Sequence, residues 1–243
     1  ELTDKYYSKE QMQLARFVSS YYVCELAIGA SLFEPFCGAK NESENFEIDT
    51  GVCLSDEQME AYKFISQKDV SLLFGDTGSG KTEIYIKAME DTVNSSKSVI
   101  FLMPEISLTP QMLKRLKAKF GDLVGVWHSK QTKKNRNATL EGLYSGKIKI
   151  IAGPRSALFL PLFDIGLIVV DEEHDDSYKS GQSPRYNAKD MAITYAKICG
   201  AKCILGSATP SLSSYKNYPF FRLKNSFWGG KKEFVFAQTG SVP

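Results

Sequence analysis

Residues 70–82, VSLLFGDTGSGKT, constrain this chain more than any other stretch. An apolar run from Val70 to Phe74 passes directly into Gly75-x-x-x-x-Gly80-Lys81-Thr82. A buried strand feeding a glycine-rich turn and then a helix is a phosphate cradle. The glycines let consecutive backbone N–H groups turn inward, and the positive end of the helix dipole adds to them. The candidate nucleotide contacts are therefore Gly75, Thr77, Gly78, Ser79, Gly80, Lys81 and Thr82. Within this set Lys81 reaches the β- and γ-phosphates, and Thr82 offers its hydroxyl to Mg²⁺. A glycine- and serine-rich turn that fits the spacing by accident would lack the strand pattern before it and the helical pattern over 81–93 after it.

The rest of the chain alternates in the same way. Apolar strand patterns lie at 70–74, 98–103, 123–127, 148–152, 167–170 and 202–205, with helical patterns at 81–93, 108–120, 132–144 and 188–198. Continuous Val/Ile/Leu strands separated by helices predict an α/β fold, a parallel sheet covered by helices on both faces. Ligands of such sheets sit beyond the carboxyl ends of the strands, where the phosphate loop falls. Upstream, Ser8-x-x-Gln11 opens a helix over 8–23 with Met12, Ala15, Val18 and Tyr22 on one face. A short helix is expected over 25–32, and a polar, acidic linker over 35–50. Ser55-x-x-Gln58 is a second capping box. These patterns divide the chain into a helical arm with linker (1–50), a nucleotide-binding lobe (51–218) and a tail (219–243) whose strand-like piece at 232–237 has no assigned partner.

Two further motifs carry chemistry. Leu167-Ile-Val-Val ends in Asp171-Glu172-Glu173-His174. An apolar strand ending in Asp-Glu places one carboxylate near the Mg²⁺ of Thr82 and the next where it polarises a water for attack on the γ-phosphate. Asp171 is assigned to the metal, Glu172 to the water, and His174 to the link with the next motif. That motif is Gly206-Ser207-Ala208-Thr209-Pro210. Its Ser207 and Thr209 hydroxyls either bond the 171–174 segment or cap the helix after Pro210, and both roles are compatible.

Read in order, GDTGSGKT, DEEH and SAT resemble motifs I, II and III of the superfamily 2 helicases. FLMPEISLTPQ (101–111), GPRSALFLPLF (153–163), VDEEHDDSYK (170–179) and LGSATPSL (205–212) narrow the resemblance to the PriA family of primosomal replication-restart DNA helicases. The resemblance is strong over 54–212, weaker over 6–35 and absent from the tail. It implies a RecA-like P-loop lobe and an ATP- and Mg²⁺-dependent, 3′-to-5′ DNA helicase. The implied partners are single-stranded or forked DNA, primosome proteins and single-strand-binding proteins, with a monomeric enzyme in the cytoplasm. It also implies that Gln58 reads adenine, although its place in a capping box gives it an equal structural reason to be there. Ser107, Thr109, Gln111, Arg155 and Ser156 correspond to segments that line single-stranded DNA, and an ordinary surface arginine is the alternative for Arg155. Lys179, Arg185 and Tyr186 match an aromatic-rich loop that couples DNA binding to hydrolysis. Pro184 replaces an aromatic there, so base stacking is expected of Tyr186. Pro154 stands where the family has Thr. Other superfamily 2 translocases of the RecG or restriction-subunit kind, and a nucleotide-switched binding module without motor activity, are the competing readings.

Composition closes off other classes. Hydrophobic residues are 43% and charged residues 24%, with a net charge of +2, as in an ordinary globular protein. Residues 111–149 hold ten basic side chains against Asp122 and Glu141, which is either a polyanion-binding face or the solvated sides of helices. Five cysteines without a C-x-x-C pair read as reduced thiols, not a disulfide framework or a zinc site. The resemblance to the PriA family implies zinc only in a part of the parent protein outside this chain. No apolar run approaches the ~20 residues of a membrane helix. His128-Ser129 lacks an orienting carboxylate in sequence, so nucleophilic catalysis is not expected of it. The chain opens on Glu1 and stops soon after motif III, as a first motor lobe cut from a longer protein would. Such a lobe is expected to bind nucleotide weakly, hydrolyse it poorly and not unwind DNA.

Overall fold

In the computed structural model, residues 4–38 and 46–224 are described. The arm contributes β1 (Lys5–Tyr6), α1 (Lys9–Tyr21), α2 (Leu26–Ala30) and β2 (Phe36–Cys37). There follow α3 (Asp56–Ser66), β3 (Val70–Gly75), α4 (Lys81–Asn94), β4 (Ser98–Leu102), α5 (Pro110–Phe120), β5 (Val124–Val126) and α6 (Lys133–Tyr144). The order continues with β6 (Ile150–Gly153), β7 (Ile165–Val170), α7 (Ala188–Cys199), β8 (Lys202–Ser207), α8 (Leu212–Asn217) and β9 (Phe220–Leu223). Strands β1 and β2 form a small antiparallel ribbon. The other seven form one parallel sheet in the order β5-β6-β4-β7-β8-β3-β9.

The α/β architecture expected from the alternation is the one formed, and the apolar pattern explains it. Along β4, Ile100 and Leu102 enter one core, with α1, α6 and α7. Val99 and Phe101 enter the other, beneath α3, α4 and α5. Both faces of the central strands are dry, so these strands read as unbroken apolar runs. Each fully buried Leu, Ile or Val contributes about 1.5–3 kcal/mol. The central strands therefore admit few polar side chains. Among those described, the Ser71 hydroxyl is buried with no hydrogen-bond partner.

The arm is part of this body. Ser8 and Gln11 close the capping box that starts α1. The helix then buries Gln11, Leu14, Ala15 and Val18, and packs on α7. Phe33 sets its edge against Phe159, with centroids 5.1 Å apart. Gln11 donates to the Glu34 carbonyl at 3.1 Å and Tyr144 to that of Pro35 at 3.2 Å, holding the exit from α2.

Two boundaries differ from expectation. Residues 46–50, expected within a loose linker, are strapped to α4. Ile48 and Asn94 exchange two bonds, and the Thr50 N–H donates to Glu90 Oε2 at 2.8 Å. The reason is Glu90, a carboxylate only 6% exposed on an inward face of α4, which must find donors where water is excluded. The sheet also continues past 218, the expected end of the lobe. Phe220–Leu223 pairs with β3 as a parallel edge strand. Four residues with alternating exposure carry too little apolar signal to register as a strand. The strand-like piece at 232–237 lies outside the described residues. Among the described residues no helix is long and apolar enough to cross a membrane.

Glu90 yields a stability prediction. Burial pushes its carboxyl up, but the Lys87 ammonium and the Thr50 hydroxyl and N–H outweigh that and hold it below the usual range. A carboxyl depressed in the folded state stabilises the fold above its unfolded value near ~4.3, and that contribution vanishes as pH falls through the folded value. Glu90→Gln should cost about 1–2 kcal/mol at pH 7 and progressively less from pH 5 downward, read by urea denaturation at several pH values.

Candidate active site

All seven strands point the same way, so β3, β7 and β8 deliver their following loops to one edge. The loop after β3 turns through Gly78 and Gly80, both at positive φ (82° and 86°). Gly80 also caps α4. A Cβ on Gly80 would stand 2.1 Å from Gln58 Nε2, so glycine is required twice over. Gln58 spends its amide locally. Its Oε1 accepts from the Ser55 N–H at 2.8 Å, and its Nε2 donates to the Gly80 carbonyl at 3.2 Å. Of the two roles open to Gln58, the capping role is formed, and the same side chain also fastens the phosphate loop to α3. Lys81 is 8% exposed, and its ammonium donates to the Gly75 and Asp76 carbonyls at 2.6 and 3.3 Å. Above the loop lies a cleft with Thr77, Gly78, Lys81 and Thr82 on one side, and Asp171 and Glu172 on the other. Arg115 of α5, ion-paired with Glu83, also lines it.

Asp171 ends β7. Tyr85 of α4 donates its hydroxyl to Asp171 Oδ1 at 3.1 Å, and Tyr178 donates to the Asp171 carbonyl at 2.6 Å. Burial, reinforced by the neighbouring Glu172 charge, pushes the Asp171 carboxyl up to about 6, against the pull of Lys81. Gly206 on β8 backs this pair so closely that a Cβ there would lie 1.6 Å from the Tyr85 hydroxyl. Glu172 follows with φ 47°. A left-handed backbone on a residue with a Cβ costs about 1–3 kcal/mol. Flanking bonds hold it, from Asp171 N–H to Leu102 and from Glu173 N–H to Gly206, both 2.9 Å. His174 Nδ1 lies 3.7 Å from Glu172 Oε2 and 2.8 Å from Ser207 Oγ. Ser207 Oγ also accepts the Thr209 N–H at 3.0 Å. Thr209 itself is exposed, and the cap of α8 is Ser211, not Thr209.

The donor set suits a hard cation. Thr82 hydroxyl and Asp171 carboxylate are oxygen donors on one cleft, and a carboxyl whose ionised form burial opposes gains from a nearby positive charge. No group of three or more His, Cys, Asp or Glu among the described residues would hold a metal unaided. A cation here would share one carboxylate with ligand phosphates, as Mg²⁺ commonly does.

The second group of candidates lies at the carboxyl ends of β4 and β6. Arg155, Ser156 and Ser177 line a groove with Glu105 and Ser129. Arg155 Nη1 donates to the Ser177 and Lys179 carbonyls at 2.8 and 2.9 Å, so it is neither an idle surface arginine nor a wholly free one. Ser156, Lys179, Arg185 and Gln111 are exposed, and Ser107 is half-buried. Thr109 spends its hydroxyl capping α5, through Met112 N–H at 3.2 Å. Ser129 donates to Glu105 Oε1 at 2.5 Å, not to His128. Tyr186 requires a correction. It is 6% exposed, with its ring edge-on to Phe159 at 5.2 Å, so it has no face free for a base. The 179–187 loop closes on itself through Ser180 N–H to the Tyr186 carbonyl and a bridge between Lys179 and Asn187, which turns the ring inward.

Sequence reasoning passed over Tyr85, Arg115 and Glu173. The first two sit on helical faces with no motif to mark them. Glu173 stood inside a motif, but beside two carboxylates whose chemistry drew the assignment.

Residues 55–218 match the DEAD/DEAH box helicase family. The replication restart protein PriA of Helicobacter pylori (strain 26695) is 48% identical over 234 residues, covering 94% of this chain and 38% of its own. PriA of Chlamydia pneumoniae is 50% identical over 153 residues, covering 63% of this chain and 20% of its own. The chain thus spans less than two-fifths of the length of these relatives. Among solved structures, RecG bound to a three-way DNA junction aligns with a TM-score of 0.55 at 21% identity, over 78% of this chain and 27% of that one. The likeness to RecG is one of fold.

The close approach behind Asp171 is testable. Gly206→Ala should destabilise the protein by about 1–3 kcal/mol in chemical denaturation, because the Tyr85 hydroxyl must move. Tyr85→Phe in the same chain should recover part of that loss.

Proposed function

This chain belongs to the DEAD/DEAH box helicase family, and we propose that it is the ATP-binding lobe of a DNA motor acting in replication restart. The observation that carries the reading is the cleft itself. A phosphate loop and an Asp-Glu pair face each other across it, and His174 stands 3.7 Å from the second carboxylate and 2.8 Å from Ser207. The family implies use of a nucleotide and Mg²⁺; ATP is our assignment.

The roles follow from position. Backbone N–H groups of 77–82 and the Lys81 ammonium hold the phosphates. Thr82 and Asp171 would hold Mg²⁺, which when bound polarises phosphoryl oxygens. Glu172 orients a water and takes its proton, and its left-handed backbone aims the carboxylate away from the sheet and into the cleft. Ser207 and His174 form a path from that carboxylate to β8. Gln58 keeps the loop in register with α3. The groove at Arg155, Ser156 and Ser177 is proposed, together with Ser107, Gln111, Lys179 and Arg185, to take the phosphate backbone of single-stranded DNA.

Unwinding in the 3′-to-5′ direction, a preference for forked DNA, and primosome and single-strand-binding partners are proposed for the intact protein from its likeness to PriA. So are a monomeric state and zinc held elsewhere in the intact protein. Cys199 and Cys203, both pushed up to about 12 by burial, are inert thiols that suit a reducing cytoplasm.

In the intact protein, Lys81→Ala should weaken nucleotide binding at least ~10-fold, by removing a charge-assisted phosphate interaction. Glu172→Gln should leave nucleotide affinity near its original value and cut turnover about 10²–10⁴-fold. Full turnover in Glu172→Gln would remove the assignment of the water-activating group. Lys179→Ala with Arg185→Ala should lower the slope of log K for single-stranded DNA against log salt by about 0.7 for each phosphate no longer neutralised.

A further inference from the structure

Glu173 is the most buried carboxylate of the DEEH segment, with a side chain 0% exposed, and it does not face the cleft. Its backbone N–H donates to the Gly206 carbonyl at 2.9 Å, stitching motif II to β8. Its Oε1 accepts the Ser211 N–H at 2.7 Å. Its Oε2 accepts from the Lys189 ammonium at 2.8 Å, the Ser214 hydroxyl at 2.7 Å and the Ser211 hydroxyl at 3.0 Å. Lys189 in turn reaches the Ser211 and Ser214 hydroxyls at 3.3 Å each. Burial opposes ionisation of Glu173, but these partners outweigh it and hold the carboxyl below the usual range.

Three elements meet on this one side chain. The first is the motif II loop, whose adjacent residue is Glu172. The second is the segment after motif III, through Ser211, the cap of α8, and Ser214 in its first turn. The third is α7, through Lys189 in its first turn. A lysine at that end of a helix opposes the macrodipole, so its placement needs a compensating anion, and Glu173 is that anion. Helix α7 begins where the 179–187 loop ends. Asn187 caps it by accepting the Lys189 N–H on its side-chain oxygen at 2.9 Å. The loop carrying the proposed DNA contacts Lys179 and Arg185 is therefore rooted in the residue that grips Glu173.

We propose that Glu173 is a positioning residue that couples the 179–187 loop to the hydrolytic carboxylate next to it. This rests on the reading of the protein as a DNA-stimulated ATPase. A shift of the loop moves the first turn of α7, Lys189 carries that to Glu173, and Glu173 is one peptide bond from Glu172. The same carboxylate fixes the start of α8, so the segment leaving motif III moves with it. His174 supplies the complementary link from Glu172 to Ser207. The two side chains flanking the motif junction thus hold both ends of the 207–211 segment.

The test is ATP turnover by the intact protein with and without single-stranded DNA. Glu173→Gln keeps the shape and one acceptor oxygen but removes the charge. Turnover without DNA and nucleotide affinity should stay within about twofold, while stimulation by DNA falls about tenfold, as removal of a charged hydrogen bond allows. Lys189→Met should reproduce that pattern, and Lys189→Arg should retain most of the stimulation. Ser214→Ala, a smaller change, should lower stimulation about threefold and keeps the test available if the charge variants fold poorly. Full stimulation in both Glu173→Gln and Lys189→Met would overturn the proposal. So would parallel loss of unstimulated turnover, which would assign Glu173 to the hydrolytic site or to stability alone. An unaltered protein whose turnover DNA does not change overturns the functional reading, and the coupling with it.

Discussion

Because every strand of the large sheet runs in one direction, each loop bearing a candidate functional residue leaves the sheet at the same edge. The order β7-β8-β3 then does more than gather them. It inserts the strand of the Ser-Ala-Thr motif between the strand of the phosphate loop and the strand of the Asp-Glu pair. Gly206, Ser207 and the residues after them therefore touch the Asp-Glu segment as a direct result of register: Val170 pairs with Leu205, and the backbone bond from Glu173 to Gly206 continues that ladder. Without a parallel sheet dry on both faces, none of these loops would have a common wall to stand on.

The site manages its negative charge by distributing it. Three consecutive carboxylates at the end of one strand would repel each other if they shared a pocket. Instead Asp171 is held by Tyr85 and feels the charge of Lys81 in the phosphate loop. Glu172 lines the cleft, partly exposed, with His174 Nδ1 3.7 Å from its Oε2. Glu173 is sunk behind the strand against Lys189 and two serines. One run of acids thereby divides into two side chains that line the cleft and one that anchors motif II to α7 and α8.

Much of this was legible in the amino-acid order. Strand and helix periods, the phosphate loop and both capping boxes depend on local residue patterns, and local patterns are what a sequence displays. What was not legible depends on contacts between distant segments. Gln58 could not be assigned to Gly80 without knowing that α3 lies against the phosphate loop. Tyr186 looked like an exposed aromatic in a polar loop, and only the closure of 179–187 turns it toward Phe159. Strand β9 was too short and too exposed to announce itself, and it exists because β3 offered an unpaired edge. The strap at 46–50 looked like linker because its polar residues have their partners on α4. Glu173 was hidden by its neighbours, whose chemistry accounted for the motif without it.

The register of β3 has a consequence for how such a chain comes into being. Val70 pairs with Cys203 and Leu72 with Phe220, separations of 133 and 148 residues by subtraction of those positions. Contacts that distant are late and slow to form, since the entropy of closing the loop must be met first. During synthesis the phosphate loop is made before its strand partners, and the strand beneath it has no neighbour on either side until the residues of β8 and β9 have emerged. At typical elongation rates of about 5–20 residues per second, that is an interval on the order of ten seconds. Through that interval the apolar run 70–74 lacks its strand partners, and nucleotide binding has no finished loop to reward. The most recognisable stretch of the sequence is thus among the last parts of the sheet to acquire its structure.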